Sequence, residues 1–167
     1  MWTFSIAASF VALLDQITKR MVIERVPYEE GVVVVSGLLN LVHARNPGAA
    51  FGIMADSGNW AGPAFFIAVS VVTLAAISWL VATSSSLDRV LLYAYSLFFG
   101  GALGNLIDRV RYGAVIDFID VHIGEYHWPA FNVADSALCV GAGLFFMHFL
   151  IRKQPAKERE RPPRDRV

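Results

Sequence analysis

Hydrophobic residues in this chain fall into four long runs separated by shorter polar stretches, the pattern of membrane-crossing helices. A bilayer core about 30 Å thick takes roughly 20 apolar residues per helix. The run from Trp60 to Ala82 holds no charged residue and is the clearest span. Val90 to Ile107 follows, bounded by Arg89 and Asp108, and Val133 to Ile151 is the last, with Asp135 near its start. The first run, about 2–23, contains Asp15 and Lys19. It lacks both a basic n-region and a small-x-small cleavage site before Asp15, so a retained span is expected, not a signal peptide. The missing basic start suggests a chain that begins a few residues later than is usual. The expected fold is an all-α membrane protein, with four transmembrane helices and a small extracytoplasmic β-containing segment, in one domain over 1–151.

Two outer segments join these spans, about 24–59 and 109–132, with a short polar inner loop from Thr83 to Arg89. GVVVVSGLLNLVHARN (Gly31 to Asn46) is β-branched and interrupted by turn residues, which predicts a small sheet or hairpin. With Tyr28, Leu38 and Leu39 it is expected to lie against the headgroups.

Composition agrees: 56% of the 167 residues are hydrophobic, 17% are charged and mean hydropathy is +0.51. Net charge is zero, which argues against a nucleic-acid partner. The cations are uneven, however. Arg152, Lys153, Lys157, Arg159, Arg161, Arg164 and Arg166 crowd the tail, 152–167, which is expected to be basic and flexible. Four spans with both termini cytoplasmic put these seven and Arg89 inside, against six cations outside. The lone cysteine, Cys139, excludes an internal disulfide and reads as a packing residue.

Polar residues cluster at the outer helix ends, where they are costly unless paired or functional. Asp15 and Lys19 are four apart and can pair on one face. Gly100 and Gly104 form a small-xxx-small pair that admits a close helix neighbour. Asn105, Asp108 and Arg109 share one face of the third span, a setting for interhelical hydrogen bonds and an Asp–Arg pair. VIDFIDV (Val115 to Val121) sets Asp117 and Asp120 in a strand-like context, one expected buried and the other nearer water. Asn132 and Asp135 have the spacing of a helix N-cap and its third helical residue. Caps and structural pairs explain most of these taken singly; a catalytic carboxylate pair is the sharper alternative.

Taken together, five stretches resemble the bacterial lipoprotein signal peptidases (signal peptidase II). They are DQITK (Asp15 to Lys19), RNPGAAFG (Arg45 to Gly52), GGALGNLIDRV (Gly100 to Val110), VIDF (Val115 to Phe118) and WPAFNVADS (Trp128 to Ser136). They run in family order from about Phe10 to Ile151. The resemblance implies an aspartic endopeptidase of the bacterial inner membrane, with its site near the extracytoplasmic face. Its substrates are diacylglyceryl-modified prolipoproteins, cut just before the lipidated cysteine. By motif, Asp117 and Asp135 are catalytic; Asn46, Gly48, Asn105, Arg109 and Asn132 bind substrate; Asp15 and Lys19 support the structure. Asp120 is the competing loop carboxylate. Membrane lipid is the other partner, no cofactor or metal is implied, and the chain is expected to work as a monomer.

Amide hydrolysis by two close carboxylates needs one proton shared between them. Asp135, at a helix N-terminus, is expected to be the base, and Asp117, in a more apolar setting, to hold the proton. Arg109 and the three asparagine amides are then placed to hold peptide carbonyls. The rival reading, a proton- or ion-coupled transporter or channel subunit, would want carboxylates near the bilayer midplane. A non-catalytic assembly or lipid-binding protein would not need both aspartates. His122 and His127 read as loop residues without a third metal ligand, and His43 and His148 as isolated. No G-x-S-x-G element supplies a serine nucleophile. Trp60, Trp79 and Trp128 fit interfacial anchors.

Overall fold

The computed structural model describes residues 2–48, 61–84 and 87–152. Ala49 to Gly52 of the second motif, Trp60 and the tail from Lys153 lie outside the described residues. In chain order the elements are α1 (Trp2–Arg25), β1 (Gly31–Val35), β2 (Leu39–Asn46), α2 (Ala61–Thr83), α3 (Arg89–Tyr112), β3 (Val115–Ile123), β4 (Tyr126–His127) and α4 (Val133–Arg152).

Three of the helices, over Gly62–Thr83, Arg89–Tyr112 and Val133–Ile151, are long and apolar enough to cross a membrane. Their outward faces carry large exposed apolar side chains, among them Phe65, Val72, Trp79, Phe146 and Leu150. Water would penalise such surfaces and lipid would not. The 24-residue α1 is as long as α3, but Asp15, Lys19, Arg20, Glu24 and Arg25 make its second half polar.

α3 is the central helix and packs against α1, α2 and α4. Small residues make this possible. A Cβ on Gly100 would sit 2.6 Å from the carbonyl oxygen of Ala8, and one on Gly101 would sit 2.7 Å from that of Ala134. A Cβ on Gly104 would meet Asp15 Oδ2 at 2.5 Å. The expected close approach therefore occurs, and it serves two neighbours: α1 at Gly100 and Gly104, α4 at Gly101. α3 starts at Asp88, whose side chain accepts the Leu91 N–H at 3.0 Å, and ends at Gly113 (φ 72°), whose N–H reaches Arg109 O.

The two outer segments merge into one antiparallel sheet in the order β1-β2-β3-β4. The first was expected to pair with itself, and β1 does pair with β2. β2 also pairs with β3, so the strand bearing Asp117 joins a hairpin made about 75 residues earlier in the chain. Val22, Val26 and Phe118 form a buried cluster that seats the sheet on the end of α1.

Several expectations are corrected. His122 and His127 are not loop residues: they face each other across β3 and β4 with rings stacked at 4.6 Å. His43 is not isolated, because its Nδ1 lies 3.0 Å from Val26 O. Nor is His148, whose Nδ1 is 2.9 Å from Asp88 Oδ2. Asp117 and Asp120 are both buried, since each gains partners on neighbouring strands. Cys139 is exposed on the outer face of α4 and packs no interior.

Candidate active site

The site forms where the C-terminal end of α3 and the N-terminal end of α4 meet β2 and β3. Asn132 is the N-cap of α4. Its Oδ1 accepts the Asp135 N–H at 2.9 Å, and Asp135 Oδ2 accepts the Asn132 N–H at 3.3 Å, a reciprocal capping box. The expected cap is thus present, yet it leaves the Asn132 amide free to donate elsewhere. Asn132 Nδ2 donates to Asp117 Oδ1 at 2.7 Å, with further contacts to Ile116 O at 3.2 Å and Asn105 Oδ1 at 3.3 Å.

Each carboxylate has a second amide donor. Asn105 Nδ2 donates to Asp135 Oδ1 at 2.8 Å. Asn46 Nδ2 donates to Asp117 Oδ2 at 3.1 Å, while its own Oδ1 accepts the Gly48 N–H at 2.9 Å. Gly48 has φ 100°, and a Cβ there would overlap the Phe66 ring. Only glycine suits that turn. Burial first, and the negative charge of Asp135 second, raise the Asp117 pKa to about 6; the Asn46 and Asn132 amides pull the other way.

Behind the amides lies a buried ionic triad. Lys19 Nζ sits 2.8 Å from Asp15 Oδ2 and 2.7 Å from Asp108 Oδ2, and it donates to Asn105 Oδ1 at 3.0 Å. The Asp15–Lys19 pair was anticipated. Asp108 was expected to pair with Arg109, but it faces Lys19, and its Oδ2 also accepts the Ile116 N–H at 3.1 Å. Asp15 Oδ1 accepts the Ala134 N–H at 2.9 Å. The triad therefore grips the strand carrying Asp117 and the helix carrying Asp135.

Arg109 stands apart from the triad. Its guanidinium lies 5.2 Å from the centre of the Phe66 ring, and its Nη1 reaches Asn105 O at 3.5 Å. Its Nε is buried without a hydrogen-bond partner among the described residues.

Two participants went unassigned in the sequence. Gln16 donates to Asp108 Oδ1 at 2.9 Å and to Gly104 O at 3.1 Å, stapling α1 to α3. Its signal was a second polar residue beside Asp15 in an apolar run. Phe66 had no signal, because an aromatic in a clean span resembles its lipid-facing neighbours. Asp120 points elsewhere: it binds Asn40 on β2 and His127 on β4. Burial works to raise its pKa, but hydrogen bonds from His127 and Asn40 outweigh that and hold it below the usual carboxylate range.

The model of the signal peptidase (SPase) II family matches residues 7–151. The chain belongs to the signal peptidase II family. Among relatives named lipoprotein signal peptidase, that of Desulforapulum autotrophicum is 41% identical over 150 residues, covering 90% of this chain and 93% of its own. That of Syntrophotalea carbinolica is 47% identical over 141 residues, covering 84% and 86%. The fold resembles a bacterial membrane enzyme solved by the in meso method at 2.3 Å, with TM-score 0.82 and 34% identity over 97% of this chain and 96% of that one. A second such structure, at 1.9 Å, gives TM-score 0.79 and 35% identity over 90% and 94%. The stretch from residue 7 to 151 holds every residue of the amide–carboxylate network described above.

Proposed function

We propose that this chain removes the signal peptide from diacylglyceryl-modified prolipoproteins as an aspartic endopeptidase, with Asp117 and Asp135 as its catalytic residues. The observation that carries the assignment is Asn132, which caps Asp135 and donates to Asp117, so that one amide holds both carboxylates. A structural cap would have no use for the second bond.

Asp135, which accepts two N–H donors at the start of α4, is placed as the base. It takes a proton from water, and the water oxygen adds to the scissile carbonyl carbon. Asp117, the protonated partner, gives its proton to the leaving nitrogen as the C–N bond breaks. The proton left on Asp135 returns to Asp117, and the pair is ready again. Asn46, Asn105 and Asn132 hold the carboxylates, and Arg109, whose buried Nε has no partner among the described residues, offers a donor to a peptide carbonyl. Gly48 sets the turn that aims Asn46.

α1 is the fourth span in this reading: residues 2–14 are uncharged, and its buried charges are neutralised inside the bundle. Both termini face the cytoplasm, and the sheet and the carboxylates lie at the outer face, where water and a lipid-anchored substrate meet. The enzyme acts as a monomer without metal or cofactor. The midplane carboxylates wanted by a transporter are not what the helices offer, since Asp108 lies in the last turns of α3, Asp135 in the first turn of α4, and Asp15 beside the Ala134 N–H at that same end of α4.

The test is cleavage of a diacylglyceryl-modified prolipoprotein peptide by protein purified in detergent, beside an unmodified peptide. Wild type should shorten the lipidated peptide, and Asp117→Asn and Asp135→Asn should not. If Asp120→Asn is the dead variant instead, the catalytic carboxylate of β3 has been misassigned. If folded wild type cuts neither peptide, the reading falls.

A further inference from the structure

Asp117 and Asp120 are three apart on β3, and the strand is irregular between them, since the Phe118 and Ile119 N–H groups both reach Phe131 O. Asp117 enters the site; Asp120 does not. Asp120 is nonetheless well engaged. It lies directly opposite Asn40 on β2 and accepts the Asn40 amide on Oδ2 at 2.9 Å. His127 Nδ1 sits 2.8 Å from its Oδ1, on the β4 side. The His127 ring stacks on His122, its cross-strand partner, 4.6 Å between centres and 7° from parallel. One carboxylate thus fastens β2, β3 and β4 together.

What lies on either side of this clasp gives it meaning. Towards the site, β2 is bulged: Leu41 pairs with Ile119, but Ala44 pairs with Asp117, so one residue of β2 is left over between them. A bulge that migrated past Asp117 would shift the register there by one residue, which changes the partners a side chain meets and the face it uses. The clasp anchors the register just beyond the bulge. On the other edge, the stretch after β4 runs beside β3. Trp128 N–H reaches Val121 O at 2.8 Å, Phe131 N–H reaches Ile119 O at 3.1 Å, and Phe131 O accepts the Ile119 N–H at 2.8 Å. The next residue is Asn132, which holds both site carboxylates. The start of that stretch is His127.

We propose that Asp120 and His127 are positioning residues of the peptidase: they lock the register of β3 and the path to Asn132, and so set how Asp117 faces Asp135. This rests on the reading of Asp117 and Asp135 as the catalytic pair. Neither residue touches the reacting atoms. Their loss loosens geometry at a distance, and misplacement of about 1 Å in a catalytic constellation costs on the order of 100-fold in rate.

The test uses the full chain in detergent with the lipidated peptide, with kcat and KM measured beside the thermal midpoint. Asp120→Ala removes the carboxylate. His127→Phe keeps a ring against His122 and removes the donor, and it carries the test if Asp120→Ala does not fold. Each is expected to lower kcat about 10-fold or more with KM within about twofold of wild type. The exchange Asn40→Asp with Asp120→Asn restores an amide facing a carboxylate, with the strands reversed. It should recover most of the activity that Asn40→Asp alone loses by setting two carboxylates face to face. Unchanged kcat in folded His127→Phe, or an exchange no more active than Asn40→Asp alone, overturns the proposal. So does a loss confined to folded yield, which is what a purely structural role gives. Wild type that cuts no lipidated peptide overturns the peptidase reading itself, and that outcome is distinct from a wild type that cuts while the variants match it.

Discussion

Asn132 donates to Asp117 across 2.7 Å, and the same side chain accepts the N–H of Asp135 through its oxygen, so both carboxylates depend on one amide. The two functions separate by substitution. Asn132→Asp keeps a capping oxygen but loses the donor and adds a third carboxylate. Asn132→Ala loses both, and the missing cap alone costs about 1 kcal/mol of stability. Both variants are expected to lose about 100-fold or more in kcat, the scale of removing one preorganised donor. Asn132→Asp should nonetheless melt nearer wild type at low pH than at high pH, because its added carboxylate faces Asp117. Wild-type kcat in either variant would remove Asn132 from the mechanism.

The pH dependence follows from Asp117, raised to about 6 by burial and by Asp135. The group holds its proton more tightly folded than unfolded. Its contribution to stability is therefore full below the unfolded value near 3.8 and is lost as pH rises through about 6. Thermal midpoints of the purified protein should fall between about pH 5 and pH 7.5, and the fall should be smaller in Asp117→Asn. The kcat/KM profile has the same origin. Activity needs one proton on the pair, so it should decline on the alkaline side as that proton is lost, with an apparent pKa belonging to the pair. A profile flat from about pH 5 to pH 8 would contradict a shared proton.

How much of this was legible in the sequence depends on whether the interaction is local. The Asn132–Asp135 cap and the Asp15–Lys19 pair lie within one helical turn each, and the residue spacing is enough to read them. The Gly100 and Gly104 contacts were legible as a tendency, but nothing local named Ala8 and Asp15 as the groups approached. The β2–β3 pairing joins segments about 75 residues apart, and no local pattern specifies such a register. For the same reason the sequence offers Asp108 only its neighbour Arg109, whereas its partner is Lys19, on another helix. His127 resembles a loop residue in the sequence because β4 is two residues long and carries almost no strand signal, and His122 sits at the polar end of β3.

Lys19 is 2% exposed and compensates two aspartates that are 0% and 1% exposed. Lys19→Met leaves both carboxylates buried with one cation fewer and takes from Asn105 Oδ1 the shorter of its two donor contacts. Breaking a buried pair by removing one partner costs about 3–5 kcal/mol. The expected result is a large drop in thermal midpoint in detergent, partly recovered by adding Asp15→Asn, which removes one of the stranded charges. No recovery in the double variant would mean that Lys19 acts through packing and not through charge.

The close approach of α1 to α3 makes a sharper test, because α4 supplies its own control. Gly104→Ala would put a methyl 2.5 Å from Asp15 Oδ2 and 3.4 Å from Ala134 Cβ. Asp15 cannot retreat freely, since its carboxylate holds Lys19 at 2.8 Å and the Ala134 N–H at 2.9 Å. The helices must separate or the triad must distort, and overpacking of this kind costs about 1–3 kcal/mol. Gly143, also helical, has nothing within 4 Å of an added Cβ. Gly143→Ala gains helix propensity of up to about 1 kcal/mol without a clash. The two alanine substitutions should therefore move the thermal midpoint in opposite directions. Activity should fall in Gly104→Ala alone, because Asp15 holds the backbone of the residue before Asp135. Equal stability in both variants would show that α1 has room to yield, and that the triad is not held by the helix contact.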